Sequence, residues 1–134
     1  MHNSYTTKYE NRILLVDDEP DITFSFDMIL EDNGYVVDTF NNPLDALSSF
    51  KSGFYVMAIL DIRMPNMNGF ELSTELRKTD NRIKIAFMTA YDIHGEGINN
   101  YSKDIISKEK PLILKKPISL NELVFKIKRE LEYL

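Results

Sequence analysis

A doubly wound α/β fold, with five parallel strands in the order 2-1-3-4-5 covered by helices on both faces, is predicted by three observations. Short apolar runs alternate with segments of helical period, as in Ile13–Val16 followed by Ile22, Phe26, Ile29 and Leu30. The runs Ile13–Val16 and Val56–Leu60 are continuously apolar, the mark of central strands buried on both faces. Carboxylates end those two runs, and a threonine and a lysine end two later ones, at the carboxyl ends of strands where open α/β sheets bind their ligands.

The first strand is Ile13-Leu14-Leu15-Val16, preceded by residues 1–11, which read as a flexible tail, and the domain is expected over residues 12–134. After Pro20 the first helix runs to an Asn33-Gly34 stop. A second, more polar strand is expected at Tyr35–Phe40, and Asn42-Pro43 then opens a second helix carrying Leu44, Leu47 and Phe50 and ending near Ser52-Gly53. The third strand, Val56–Leu60, leads straight into Asp61, and a helix with Phe70, Leu72 and Leu76 follows the loop 62–69. Strands four and five are Lys84–Thr89 and Leu112–Lys115. Between them, Gly95, Gly97 and Asn99-Asn100 weaken any helix, so a short or irregular one is expected within 91–110. The last helix opens on a capping box of Ser119 and Glu122 and presents Leu120, Leu123, Ile127, Leu131 and Leu134 as its apolar face. Right-handed crossovers make this a flavodoxin-like (βα)5 arrangement.

Composition narrows the function. The 134 residues, 43% of them hydrophobic and with seven Tyr and eight Phe, supply one core. A net charge of -5 argues against generic nucleic-acid binding, which needs a positive surface. There is no Cys, and the two His, His2 and His94, are too far apart in sequence to build a zinc cage. No run approaches the roughly 20 apolar residues of a membrane span, nor is there the apolar core of a signal peptide, so a cytoplasmic protein is expected.

Asp17-Asp18 end the first strand, Asp61 the third, Thr89 the fourth and Lys116 the fifth, so these side chains should meet at one rim. Carboxylates about 4 Å apart repel by roughly 4 kcal/mol at an effective dielectric of about 20, and a counter-cation relieves this. An all-oxygen donor set favours Mg2+. Asp61 can then attack phosphorus as a carboxylate nucleophile, with the Lys116 ammonium and the Thr89 hydroxyl on phosphoryl oxygens. Taken singly, each position has an ordinary reading. Asp17-Asp18 could be a solvated turn with Asp21 capping the first helix, Asp61 a loop cap, Thr89 a plain strand residue, and Lys116 part of a solvated face with Lys115. Met64 and Met67 read as packing, Gly69 as a permissive turn residue, His94 as surface, and Tyr5 and Tyr9 as tail residues.

Together, Leu14-Leu15-Val16-Asp17-Asp18-Glu19, Asp61 to Gly69, Thr89-Ala90 and Lys116-Pro117 resemble the signatures of response regulator receiver domains of two-component signal transduction, over Arg12 to Leu134. The resemblance implies that Asp61 is the phosphoacceptor and that Asp18 and Asp61 ligate Mg2+ directly. Asp17 assists, and the Arg63 main-chain carbonyl completes the set. Thr89 and Lys116 read out the phosphoryl group. The donor would be a sensor histidine kinase or a histidine phosphotransfer protein, with small acyl phosphates as substitutes. Such a domain catalyses its own phosphorylation and dephosphorylation, acting as a switch toward a downstream protein partner, in some cases through a phosphorylation-dependent homodimer.

Two positions depart from that pattern. Ile113 stands where the family usually places an aromatic switch residue, and the 89–116 interval is several residues longer than typical. Arg63 and Tyr91 would tune the access of hydrolytic water, a bulky pair that implies slow self-dephosphorylation. The competing readings are a receiver-like binding module without phosphorylation, a phosphatase with a nucleophilic Asp, and a flavodoxin-like nucleotide binder. A phosphatase wants a second acid where Arg63 stands, and a nucleotide loop wants Gly, Ser or Thr where Asp17-Asp18-Glu19 stands. No output domain follows Leu134 in this sequence, leaving a stand-alone regulator, a relay intermediate or a piece of a longer chain as readings.

Overall fold

The computed structural model describes residues 11–90 and 99–132. Ten elements alternate along the chain: β1 (Arg12–Val16), α1 (Pro20–Asp32), β2 (Val36–Phe40), α2 (Pro43–Ser49), β3 (Met57–Asp61), α3 (Gly69–Thr79), β4 (Lys84–Thr89), α4 (Asn100–Glu109), β5 (Leu112–Lys115) and α5 (Leu120–Glu132). The five strands form one sheet in the order β2-β1-β3-β4-β5 with every pairing parallel, as expected.

Because neighbouring residues of a strand point to opposite faces, the apolar strands feed two cores. Leu14, Val16, Ala58, Leu60, Ile85 and Phe87 pack on one side with Ala46 of α2, Phe70, Leu72 and Leu76 of α3 and Ile105 of α4. Ile13, Leu15, Met57, Ile59, Ala86 and Met88 pack on the other with Phe26 and Leu30 of α1 and Leu123 and Ile127 of α5. Met64 and Met67 rest against the first core, which is the packing role read for them. No helix among the described residues is long and apolar enough to cross a membrane.

Several boundaries differ from expectation for local reasons. Tyr35 belongs to the exit of α1, because its amide donates to the Leu30 carbonyl at 3.1 Å while Gly34 takes φ 94. Helix α2 stops at Ser49, earlier than expected, as Phe50 turns to stack on Tyr55 with ring centroids 5.8 Å apart. Asp61 is the last residue of β3 itself, in register with Met88 of β4, where the sequence placed it just beyond the strand.

The short helix expected within 91–110 is present as the ten-residue α4. Asn99, taken as a breaker, is its N-cap: the side-chain oxygen accepts from the Ser102 amide at 2.8 Å. The capping box predicted for α5 is half formed. Ser119 Oγ accepts from the Glu122 amide at 3.1 Å, whereas the Glu122 carboxylate lies 3.3 Å from Lys126 Nζ, one helical turn on. Leu120 is exposed and not part of the apolar face. A reciprocal capping box forms instead at α3, between Asn68 and Glu71. Asp21 does not cap α1; it lies in the first turn, after an N-cap at Glu19. His2, His94, Tyr5, Tyr9, Tyr91 and Leu134 lie outside the described residues.

Candidate phosphoacceptor and metal centre

Strands β1, β3, β4 and β5 end at the same rim, so parallel pairing alone gathers their last residues. Asp17 is fully buried just beyond β1, Asp61 is 5% exposed at the end of β3, and Thr89 is buried at the end of β4. The Lys116 amide donates to the Thr89 carbonyl at 2.8 Å, extending the β4–β5 pairing one step and aiming the lysine back across the rim. Its ammonium lies 2.9 Å from Asp17 Oδ2, 3.4 Å from Asp61 Oδ1 and 3.8 Å from Glu19 Oε1. Ligand oxygens of Asp17, Asp18 and Asp61 all fall within 4.8 Å of one another. The residues expected to converge do so.

Above them opens a cleft of about 220 Å³ lined by Asp18, Glu19, Asp61, Arg63, Thr89, Ala90 and Lys116. Asp17 forms no part of its wall. It sits underneath, with Oδ1 accepting from the Glu19 amide at 2.9 Å and Oδ2 held by Lys116. Of the three clustered aspartates, Asp18 and Asp61 line the cleft and Asp17 does not. Glu19, not singled out from the sequence as a site residue, lines the cleft beside Lys116; its only signal was adjacency to Asp17-Asp18.

Charge balance at the rim is unfavourable without a further cation. Burial, then the repulsion of Asp17, pushes the Asp61 carboxyl from 3.8 up to about 7, with Lys116 opposing and Asp18 adding to the rise. Burial pulls the Lys116 ammonium down, but its hydrogen bond to Asp17 and the charges of Asp17, Asp61 and Glu19 hold it above its ordinary value. Two basic residues, Lys116 and Arg63, thus share the rim with the four carboxylates of Asp17, Asp18, Asp61 and Glu19. A set of closely spaced oxygen donors with excess negative charge, and neither His nor Cys among them, fits a hard divalent cation.

Gly69, the first residue of α3, is required for a reason other than turn flexibility. A Cβ there would lie 2.5 Å from the Asp61 carbonyl oxygen and 3.1 Å from Ile62 Cα, so α3 begins in direct contact with the backbone of the nucleophile candidate. Ile113 is half-buried against the α2–α3–α4 core.

A family model described as the response regulator receiver domain matches residues 13–128. The CpxR homolog of Haemophilus influenzae, a transcriptional regulatory protein, is 34% identical over 118 residues, covering 88% of this chain and 49% of that protein. The uncharacterized transcriptional regulatory protein YkoG of Bacillus subtilis is 30% identical over 125 residues, 91% of this chain and 51% of its own length. The chain thus spans about half the length of these curated relatives. Among solved structures, a CheY-like receiver domain protein from Methanospirillum hungatei superposes with a TM-score of 0.77 at 28% identity, covering 91% of this chain and 94% of that one. TrrA of Thermotoga maritima, solved in complex with Mg2+ and BeF, gives a TM-score of 0.70 at 36% identity, covering 89% and 97%. In complex with the histidine kinase ThkA, TrrA gives 0.72 at the same identity, covering 91% and 98%. With its sheet order, its acidic rim and a family match over most of its length, the chain belongs to the response regulator receiver domains of two-component systems.

Proposed function

We propose that residues 12–134 act as a phosphoaccepting unit in which Asp61 is the nucleophile. Mg2+ would be held by Asp18 and Asp61, with Asp17 assisting and the Arg63 main-chain carbonyl completing the protein's share. The observation that carries this reading is the buried Asp61 carboxyl at a strand end, within 4.8 Å of the Asp17 and Asp18 ligand oxygens and 3.4 Å from an ammonium. When bound, Mg2+ neutralises charge on the carboxylates and on the phosphoryl oxygens.

The chain's own groups divide the remaining work. An Asp61 carboxylate oxygen attacks phosphorus in line, and the phosphorus–nitrogen bond of a donor phosphohistidine breaks with its electron pair leaving on the imidazole. Lys116, already 3.4 Å from Asp61 Oδ1, gives up part of its contact with Asp17 to hold a phosphoryl oxygen. Thr89, buried beside it, donates its hydroxyl to another. Water later attacks the phosphorus, returning the carboxylate and inorganic phosphate. Arg63, on the cleft wall, restricts that water.

We infer a cytoplasmic protein whose donor is a sensor histidine kinase or histidine phosphotransfer protein, a class consistent with the TrrA–ThkA complex. The output is a changed affinity for a downstream protein, or for a second copy of the chain, with no direct contact to nucleic acid or membrane. The test is the intact mass after incubation with a small acyl phosphate, with and without Mg2+, beside Asp61→Asn. A Mg2+-dependent gain of one phosphoryl group, absent from the variant, is expected. A wild-type protein that gains none from either the acyl phosphate or a phosphorylated histidine donor would be a binding module on the receiver fold.

A further inference from the structure

The acidic turn after β1 is pinned from β2. Asp17 has its amide bound to the Phe40 carbonyl at 3.1 Å, and its own carbonyl accepts from Asn41 Nδ2 at 2.8 Å. The same Asn41 nitrogen donates to Thr23 Oγ1 at 3.0 Å, and Thr23 in turn donates to the Pro20 carbonyl at 3.1 Å. Asn41 therefore ties together the end of β2, the peptide joining Asp17 to Asp18, and the first turn of α1. We infer that Asn41 is a positioning residue for the metal centre: by fixing the plane of the Asp17–Asp18 peptide, it sets where the Asp18 carboxylate meets the cleft and so the affinity for Mg2+.

The physical case rests on which bonds can hold that peptide. The Asp17 side chain is committed to Lys116 and the Glu19 amide, and Asp18 itself is only half-buried. The orientation of the Asp17 carbonyl is thus left to a partner outside the turn, and Asn41 is that partner. Thr23 is 4% exposed and cannot shift freely, so the second bond fixes the amide of Asn41 as well. Asn41 is exposed, so its removal opens no core cavity and any loss of metal affinity is not a packing effect. Groups that orient metal ligands from behind typically matter by about 10- to 100-fold in affinity.

This inference rests on the proposed Mg2+ site, and the experiment separates the two. Mg2+ alone would be titrated into wild type, Asn41→Ala, Thr23→Val and Thr23→Ser. Binding would be followed by the amide signals of Asp18 and Asp61, and phosphoryl uptake from an acyl phosphate would be measured at each Mg2+ concentration. For Asn41→Ala, a rise of about tenfold in the Mg2+ midpoint is expected, with full phosphoryl uptake restored at saturating Mg2+. Thr23→Val should show a smaller rise and Thr23→Ser, which keeps the acceptor oxygen, none. A lower melting temperature for Asn41→Ala with an unchanged Mg2+ midpoint would overturn the inference while leaving the metal site standing. A wild-type chain whose amides do not respond to Mg2+ would overturn both.

Discussion

The Asp61 carboxyl is the group whose protonation governs the isolated rim. Burial and Asp17 raise it to about 7, so without metal the folded protein binds this proton more tightly than the unfolded chain, whose Asp titrates near 3.8. The stability gained is complete below the unfolded value and is lost as pH rises through the folded one. Urea unfolding in Mg2+-free buffer should therefore show the wild type losing stability between about pH 4 and pH 8 relative to Asp61→Asn, which has no charge to acquire there. At pH 8 the variant is expected to be the more stable by about 2 kcal/mol. Saturating Mg2+ should shrink the gap, since under the proposed function the cation is held by the folded carboxylates and not by the unfolded chain. Equal pH profiles for the two proteins would show that Asp61 is not held in this environment.

Among the elements, α3 meets the Asp61 backbone at its first residue. Its capping box, from Asn68 and Glu71, fixes where the helix starts, and that start lies against the Asp61 carbonyl. Gly69→Ala would place a Cβ 2.5 Å from that oxygen, with backbone on both sides of the contact and little room to yield. A loss of about 2 kcal/mol in stability is expected, the usual scale of overpacking. Phosphoryl uptake at a given Mg2+ concentration should fall as well, since Asp61 must move. Asn68→Ala provides the contrast: it removes the cap at a cost of about 1 kcal/mol and should leave uptake at saturating Mg2+ unchanged. If Gly69→Ala lost no more uptake than Asn68→Ala, the close approach would not matter to the site.

On the scale of the whole domain, phosphorylation is expected to bias an existing equilibrium toward the state with Thr89 and Lys116 drawn onto the phosphoryl group. Ile113 stands three residues before that lysine, where the resemblance to receiver domains implies an aromatic side chain, and it is half-buried against the core beside α4. A compact aliphatic side chain already packed inside has less to gain from turning inward than an exposed ring. Amide signals compared with and without a phosphoryl mimic should therefore shift mainly at residues 17–19, 61–63, 89–90 and 116, with small changes in β5 and α5. Wide shifts through β5 and α5 would show a full switch operating without the aromatic ring.

The strand pattern, the sheet order and Asp17, Asp18, Asp61, Thr89 and Lys116 were legible without coordinates, because parallel strands with short polar ends force those ends to one rim. The N-terminus of α4 was not legible, since an asparagine that breaks a helix and one that caps it look alike until Ser102 offers its amide to Asn99. Nor was the role of Gly69, which depends on how near α3 passes to β3. The alternation of apolar runs determined the fold class, and the residues at their ends determined which side chains gather at one rim, as both follow from periodicity and strand pairing. Tertiary structure alone decided that Asp17 lies under the cleft while Asp18 and Glu19 line it, that Lys116 rests closer to Asp17 than to Asp61, and that Asn41 braces the acidic turn. These are distances between residues far apart in the chain, set by how the helices pack the sheet, and no local pattern encodes them.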